Sequence, residues 1–188
     1  MTLNPARVVV LDRDGVINRE SPEYIKSPAE WQPLPGALQA IAELKAAGYR
    51  VVVATNQSGL ARGLFDLEAL GQIHQRMLTA VADAGGALDG IFFCPHGPDA
   101  GCDCRKPAPG LLLQVAERFA CGFENMVFIG DSARDLEAAR AVGVRSILVR
   151  TGNGNATAAA LAPDDDVLVV DDLAAAARAL IAEGEPRQ

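Results

Sequence analysis

Residues 8–15 read VVVLDRDG, an apolar run of four residues that is followed by two aspartates, Asp12 and Asp14. Because the run is rich in β-branched valine, it predicts a buried strand over residues 8–12. In open α/β sheets, ligands bind beyond the carboxyl ends of the strands, and both aspartates lie at such an end. They are therefore candidate functional residues by position, although a pair of aspartates taken alone can also simply cap a turn.

Similar apolar runs recur along the chain and alternate with segments of helical periodicity. Further strands are predicted at residues 50–56, 90–94, 126–130, 146–150 and 167–170. Helices are predicted around Leu38, Ile41 and Leu44, after the N-cap residue Asp66, over residues 109–119 and 133–142, and in the alanine-rich segments 156–162 and 174–177. The alternation predicts a mainly parallel sheet, and because its strands are almost entirely apolar, helices are expected on both faces. The expected fold class is α/β, a three-layer Rossmann-like sandwich in a single domain over residues 1–188.

The composition limits the classes of partner. The chain has 188 residues, of which 49% are hydrophobic, and its 17 basic and 24 acidic residues give a net charge of −7. This hydrophobic fraction supports a packed core, whereas the negative charge disfavours nucleic acid and anionic membranes as partners. No apolar run approaches the roughly 20 residues of a membrane helix. We therefore expect a soluble, cytoplasmic protein, by default a monomer, that acts on a small molecule.

Two other strand ends carry groups suited to phosphate and metal chemistry. Residues 55–59 read TNQSG, whose hydroxyl, amide and backbone donors can bind phosphate oxygens, although the same residues also make a good turn. Asp131 follows the strand at 126–130, and Asp135 lies one helical turn later on the same side. With Asp12 and Asp14 they form a group of carboxylates that a hard cation such as Mg²⁺ would make tolerable.

The loop over residues 94–104 carries the ligands of a second metal. Cys94, His96, Cys102 and Cys104 offer three thiolates and one imidazole, which is the ligand set of a closed tetrahedral zinc site. In a reducing cytosol such a cluster favours a metal over disulfides. We therefore predict a structural Zn²⁺ here, with Cys121 as a separate core residue.

The order of these motifs resembles a known superfamily. DRDG at 12–15, TN at 55–56, KP at 106–107 and GDSARD at 130–135 look like the four motifs of the haloacid dehalogenase (HAD) superfamily, and the resemblance extends over residues 7–150. The forms DRDGVIN, TNQSG and CRKP, together with the Cys/His loop, are similar to those of the heptose bisphosphate 7-phosphatases and the histidinol-phosphate phosphatases. That family also carries a structural zinc in this loop.

The resemblance implies a Mg²⁺-dependent phosphomonoesterase that works through an aspartyl-phosphate. Asp12 would be the nucleophile and Asp14 the general acid and base. Thr55 and Lys106 would hold the oxygens of the transferring phosphoryl group. The Mg²⁺ ligands would be Asp12, the backbone carbonyl of Asp14 and Asp131, with Asp135 in support.

Residues near these motifs are candidates for contacting a phosphorylated sugar. The candidates are Asn56, Gln57, Ser58, Arg105, Glu20, Ser21 and Tyr24. The resemblance gives Arg105 a part in substrate recognition, whereas Glu20, Ser21 and Tyr24 either contact the sugar or form a polar surface loop. Arg62 is a candidate for reaching a distal phosphate, and His74 is expected on a solvated edge of its helix. The segments between the motifs are too short for a cap domain, so we expect an open site.

Three functions remain open from the sequence. The favoured one is removal of the C7 phosphate of D-glycero-D-manno-heptose 1,7-bisphosphate, which serves the assembly of ADP-heptose for the lipopolysaccharide inner core. The alternative is hydrolysis of histidinol phosphate in histidine biosynthesis, because those enzymes share the motifs and the zinc loop. A non-enzymatic receiver-type signalling domain also carries acidic residues on a parallel sheet, but it would lack the Asp-x-Asp pair and would have no use for a zinc loop.

Overall fold

Six parallel strands form the sheet that carries the candidate site. The computed structural model describes residues 7–163 and 165–184. The strands are β1 (Val8–Leu11), β2 (Arg50–Asn56), β3 (Gly90–Cys94), β4 (Met126–Gly130), β5 (Arg145–Val149) and β6 (Leu168–Val170). Their order is β3-β2-β1-β4-β5-β6, and every neighbouring pair is parallel. The strand order therefore reverses between β1 and β4, which is where open α/β sheets bind their ligands.

Helices cover both faces of this sheet. They are α1 (Ala37–Ala46), α2 (Leu67–Asp83), α3 (Gly110–Phe119), α4 (Ala133–Ala141), α5 (Gly154–Ala159) and α6 (Leu173–Gly184). Val9 and Leu11 of β1 pack in one core with α1, α2 and α6, whereas Val8 and Val10 pack on the opposite face with α3 and α4. Since successive strand residues face opposite sides, an all-apolar strand needs both layers of helices. The predicted three-layer α/β fold is confirmed.

The observed elements agree closely with the predicted ones, with small differences at their ends. The strand predicted at 8–12 ends at Leu11, so Asp12 is the first residue beyond the sheet. The strands predicted at 146–150 and 167–170 are observed one residue earlier and one residue shorter, respectively. The helix predicted at 156–162 begins at Gly154 but ends at Ala159. Pro163 disfavours a helical backbone at the residue before it, which limits how far α5 can extend.

The carboxyl edge of the sheet stays open. In the described part of the chain, α1 is the helix between β1 and β2, and α2 is the helix between β2 and β3. As predicted, neither connection contains a cap domain. No helix among the described residues is long and apolar enough to cross a membrane. The single domain over residues 1–188 stays a prediction, because residues 1–6, 164 and 185–188 lie outside the described residues.

The expected position of His74 on a solvated helix edge is wrong. His74 is half-buried, and its ring meets Phe93 edge-on with 5.9 Å between the ring centroids. Burial, together with the positive charge of Arg13, lowers the pKa of His74 to about 4. The contact of His74 with Phe93 of β3 contributes to this burial, and the periodicity of α2 alone does not show it.

Asp66→Ala is expected to lower the free energy of unfolding by about 1 kcal/mol, because it removes the N-cap of α2. The Asp66 carboxylate accepts a hydrogen bond from the Ala69 N–H at 2.8 Å. Urea unfolding followed by circular dichroism measures the change. Asp83→Ala removes the same charge at the last residue of α2, where it opposes the helix dipole, and is expected to be neutral or slightly stabilising. Equal losses in the two variants would contradict the capping role.

Candidate active site

The carboxyl ends of three neighbouring strands bring polar side chains into one cavity. Asp12 follows β1, Thr55 lies near the end of β2, and Asp131 follows β4. Asp135 belongs to the first turn of α4, and Lys106 lies in the loop before α3. All five line a cavity of about 70 Å³. The structure therefore brings together these five residues from separate motifs.

A buried ammonium group lies between two of the carboxylates. Lys106 Nζ is 2.9 Å from Asp12 Oδ1 and 2.7 Å from Asp135 Oδ1. It also donates to the Ala54 carbonyl at 2.9 Å. Although burial lowers the pKa of Lys106, the negative charges of Asp12 and Asp135 outweigh it and raise this pKa overall. The lysine is thus a fixed positive charge beside Asp12.

The carboxylates suit a divalent cation. One oxygen each of Asp12, Asp131 and Asp135 lies within 4.8 Å of the others. Burial, reinforced by the charge of Asp135, raises the pKa of Asp12 and raises that of Asp131 to about 7. Three carboxylates facing one ammonium leave an excess of buried negative charge, which a cation with oxygen ligands offsets. This donor set fits Mg²⁺.

The segment after β5 holds Asp131 in place. Gly15 and Gly152 have φ angles of +81° and +57°, and a Cβ at either would clash with Asp131 Oδ2. Thr151 Oγ1 donates to the Gly15 carbonyl at 2.6 Å, and the Asn153 N–H donates to Asp131 Oδ2 at 2.8 Å. This segment was not predicted from the sequence to belong to the site. It is polar, contains glycine and directly follows a buried strand, and this pattern could have indicated a role at the ligand-binding edge.

The Asp14 carboxylate is enclosed by donors. Arg13 Nε and Nη2 lie between 2.9 and 3.2 Å from its two oxygens. Asn18 Nδ2 donates to Oδ1 at 2.9 Å, and Gln57 Nε2 donates to Oδ2 at 3.0 Å. Burial raises the pKa of Asp14, but the Arg13 charge and these hydrogen bonds outweigh it and lower the pKa overall. The side chain lines the Asp12 cavity from one side.

Asn56 joins the end of β2 to the backbone of Lys106. Its Nδ2 donates to the Lys106 carbonyl at 3.0 Å, and its Oδ1 accepts from the Lys106 N–H at 3.1 Å. Thr55 is 1% exposed, and its hydroxyl accepts a hydrogen bond from Gln57 Nε2 at 2.9 Å. The amides of Asn56 and Gln57 therefore hold other residues of the site in place.

A larger cavity of about 330 Å³ adjoins the first. The predicted substrate contacts line it: Glu20, Ser21, Tyr24, Asn56, Gln57, Ser58 and Arg105. The guanidinium groups of Arg62, Arg105 and Arg134 give it positive charge. Arg134 was not among the residues predicted from the sequence. It lies in the first turn of α4, between Asp131 and Asp135, and this position could have indicated that its side chain reaches the same edge of the sheet.

Glu20 lies where the two cavities meet. Its carboxylate accepts a hydrogen bond from Asn153 Nδ2 at 2.8 Å, and burial raises its pKa. Tyr24, further along the same loop, has a φ of 63°, which is uncommon for a residue with a Cβ. The loop over residues 20–24 is therefore part of the cavity wall.

The four predicted zinc ligands meet in one cluster. Cys94 Sγ lies 3.5 Å from His96 Nδ1 and 3.7 Å from Cys102 Sγ. Cys104 Sγ lies 3.3 Å from His96 Nδ1 and 3.6 Å from Cys102 Sγ. Tetrahedral zinc with Zn–S bonds of about 2.3 Å places its sulfur ligands about 3.8 Å apart. The cluster therefore has the size and the donors of a closed zinc site.

This cluster adjoins the Asp12 cavity along the chain. Cys104 immediately precedes Arg105 and Lys106, so a metal held by the cluster anchors the backbone that supplies both cations. Cys121 is buried against the core on the α3 face and does not belong to the cluster, as predicted.

Known proteins are similar to this chain in sequence and in fold. The HAD-hydrolase-like family model matches residues 103–176. A D-glycero-beta-D-manno-heptose-1,7-bisphosphate 7-phosphatase of Pseudomonas putida is 53% identical over 175 residues, which are 93% of this chain and 99% of the relative. The crystal structure of D,D-heptose 1,7-bisphosphate phosphatase from B. bronchiseptica, complexed with magnesium and phosphate, has a TM-score of 0.91 at 51% identity and covers 94% of this chain and 99% of that one. The corresponding enzyme from Burkholderia thailandensis has a TM-score of 0.74 at 45% identity, with 93% and 98% covered.

Cys102→Ser is expected to reduce the zinc content of the purified protein from a full equivalent to a small fraction, because a hydroxyl replaces a thiolate ligand poorly. Inductively coupled plasma mass spectrometry measures the metal. Cys121→Ala removes a thiol outside the cluster and is expected to keep the zinc. Retention of zinc by both variants, or its loss from both, would count against the assigned ligands.

Proposed function

The chain belongs to the D-glycero-beta-D-manno-heptose-1,7-bisphosphate 7-phosphatase family of HAD-like hydrolases, and from this premise we propose that it removes the C7 phosphate of that heptose bisphosphate. The observation that carries the proposal is the contact of 2.9 Å between Asp12 and the buried Lys106, beside two further carboxylates. The 53% identity to a full-length relative supports the substrate. The product would serve the assembly of ADP-heptose for the lipopolysaccharide core.

Asp12, the Asp14 carbonyl and Asp131 would hold the Mg²⁺, with Asp135 in support. The crystallised relative from B. bronchiseptica carries magnesium, and the excess negative charge at these residues supports a cation here too. When bound, Mg²⁺ supplies positive charge that offsets the repulsion between an anionic nucleophile and an anionic phosphate. Zn²⁺ in the separate cluster would be structural, because protein ligands fill all four of its positions.

The chain itself supplies the groups for two displacements at phosphorus. An Asp12 oxygen forms a bond to phosphorus while the bond to the sugar oxygen breaks, and Asp14 gives that oxygen a proton. Water then attacks the aspartyl-phosphate, its proton goes to Asp14, and the bond between phosphorus and the Asp12 oxygen breaks to release inorganic phosphate. Lys106 and Thr55 lie beside Asp12 and would bind the phosphoryl oxygens as their charge rises.

The larger cavity would bind the sugar and its second phosphate. Arg62, Arg105 and Arg134 line it and favour an anionic group. Contacts with the sugar would come from Asn56, Gln57, Ser58, Glu20, Ser21 and Tyr24. Histidinol phosphate, the alternative substrate, would bring a cationic amine into this cavity of guanidinium groups, so the charge of the cavity favours the heptose bisphosphate.

The same proposal implies the binding partner, the oligomeric state and the cellular compartment of the protein. A small phosphorylated sugar, rather than nucleic acid or a membrane, would be the partner of an acidic chain with a cationic cavity. We take the working unit to be a monomer of one domain in the cytoplasm, where sugar phosphates and reduced thiols occur together. Release of phosphate from substrate would separate this function from a receiver-type signalling role.

Asp12→Asn is expected to lower the rate of phosphate release by at least about 10³-fold, because it removes the nucleophile. A coupled assay for inorganic phosphate measures this loss. The melting temperature is expected to stay close to that of the unaltered protein, because Asp135 remains as the ionic partner of Lys106 and the amide has nearly the volume of the carboxylate. Appreciable turnover by a folded Asp12→Asn protein would refute the assigned nucleophile.

The kcat/KM for the heptose bisphosphate is expected to exceed that for histidinol phosphate by at least about 100-fold, because only the former offers a second phosphate to the arginines of the cavity. Both anomers of the heptose bisphosphate are assayed with Mg²⁺ beside histidinol phosphate. A higher kcat/KM for histidinol phosphate would favour the alternative enzyme. Hydrolysis of none of these esters would revive the signalling role.

A further inference from the structure

Arg13 is a large, fully buried side chain in the active site that the chemistry above leaves without a role. It lies between Asp12 and Asp14, and only 1% of its surface is exposed. We propose that Arg13 is a positioning residue whose guanidinium sets the direction of the Asp14 carboxylate toward the leaving oxygen. The inference rests on the proposed role of Asp14 as general acid, but it does not depend on which sugar phosphate is the substrate.

The contact between the two side chains fixes orientation as well as distance. Arg13 Nη2 lies 2.9 Å from Asp14 Oδ2 and 3.0 Å from Oδ1, and Nε lies 3.2 Å from each oxygen. A planar guanidinium that meets both oxygens restrains rotation of the carboxylate, which the point charge of a lysine does not do. Arg13 therefore does more than neutralise Asp14.

Gln57 links the same two groups. Its Oε1 accepts from Arg13 Nη2 at 3.3 Å, while its Nε2 donates to Asp14 Oδ2 at 3.0 Å. Asn18 Nδ2 donates to Asp14 Oδ1 at 2.9 Å, and Asn18 Oδ1 accepts from Trp31 Nε1 at 3.0 Å. Gln57 and Asn18 each contact one oxygen of Asp14, whereas Arg13 contacts both, so Arg13 restrains the direction of the carboxylate most.

The surroundings of Asp14 leave room for its carboxylate to rotate, so restraint by Arg13 affects its direction. The Asp14 side chain is 22% exposed and borders both cavities, so the space around it allows other orientations. Displacement of a reacting group by about 1 Å can cost about 100-fold in rate. Arg13 borders the larger cavity, but only 1% of its surface is exposed, and the side-chain contacts of its guanidinium are with Asp14 and Gln57. We therefore assign its main effect to the orientation of Asp14, and the double variant described below separates this effect from direct binding of substrate.

The test uses the variant Arg13→Lys and compares two substrates with different leaving groups. Lysine keeps the positive charge but lacks the planar guanidinium that contacts both carboxylate oxygens. For the heptose bisphosphate, whose sugar oxygen needs a proton to leave, kcat/KM is expected to fall about 10- to 100-fold. For p-nitrophenyl phosphate, whose phenolate leaves without a proton, the expected loss is less than about threefold. Asp14→Asn is the benchmark and is expected to show the same dependence on the leaving group.

Arg140→Lys is the matched control, because Arg140 forms an exposed ion pair with Asp165 at 2.6 Å. It is expected to leave both activities unchanged. In the double variant Arg13→Lys/Asp14→Asn, the added loss from Arg13→Lys is expected to be less than about twofold, because groups that act through one another are not additive. Equal losses on both substrates, or an undiminished loss in the Asp14→Asn background, would overturn the proposal.

The experiment allows for misfolding of Arg13→Lys and for a different natural substrate. Melting curves show whether Arg13→Lys folds, and if it does not, Gln57→Leu replaces it, alone and combined with Asp14→Asn. A loss that acts through Asp14 is expected to fall below about twofold in the Asp14→Asn background, whereas loss of a sugar contact would persist there. If the unaltered protein does not hydrolyse the heptose bisphosphate, the proposed substrate fails. The comparison of leaving groups then proceeds with any alkyl phosphate that the protein does hydrolyse, and its result still decides the role of Arg13.

Discussion

The buried ion pairs of Lys106 with Asp12 and Asp135 are the constraint on which the rest of the site depends. With Asp131, three carboxylates converge on one ammonium group at the carboxyl edge of the sheet. Burying unbalanced charge is costly, and it is tolerated only where the partners are held in good geometry. Parallel strands provide that geometry, because the ends of β1, β2 and β4 all point to the same edge.

Lys106 lies on a loop, and two separate devices fix that loop. The Cys/His cluster ends at Cys104, two residues before the lysine, and Asn56 forms hydrogen bonds with both the N–H and the carbonyl of Lys106. Loops are ordinarily the more mobile parts of a fold. The zinc cluster and the Asn56 amide thus restrain the position of Lys106 although it lies on a loop. An electrostatic role in phosphoryl transfer requires such a fixed position.

The open edge of the sheet explains how an acidic protein can accept an anionic substrate. The net charge of −7 describes the whole molecule, and part of it is concentrated on the carboxylates of the smaller cavity. Next to them, Arg62, Arg105 and Arg134 line the larger cavity, and the described residues form no cap domain over it. Since clefts focus the field of the charges that line them, the local potential can attract a sugar phosphate although the overall charge does not.

The sequence by itself determined the parallel three-layer fold, the convergence of Asp12, Thr55, Lys106, Asp131 and Asp135, and the four ligands of the zinc cluster. The fold follows from hydrophobic periodicity, the placement of Asp12, Thr55, Asp131 and Asp135 from the strand ends, and the zinc ligands from local spacing, all of which a sequence records directly. The place of Lys106 beside them came from the resemblance of KP at 106–107 to a HAD motif. Only the tertiary structure decided that Arg13 turns inward onto Asp14, that the segment after β5 holds Asp131, that Arg134 reaches the substrate cavity, and that His74 is half-buried. The tertiary structure sets each of these features through contacts between separate parts of the chain. The pattern within any one element does not record such contacts.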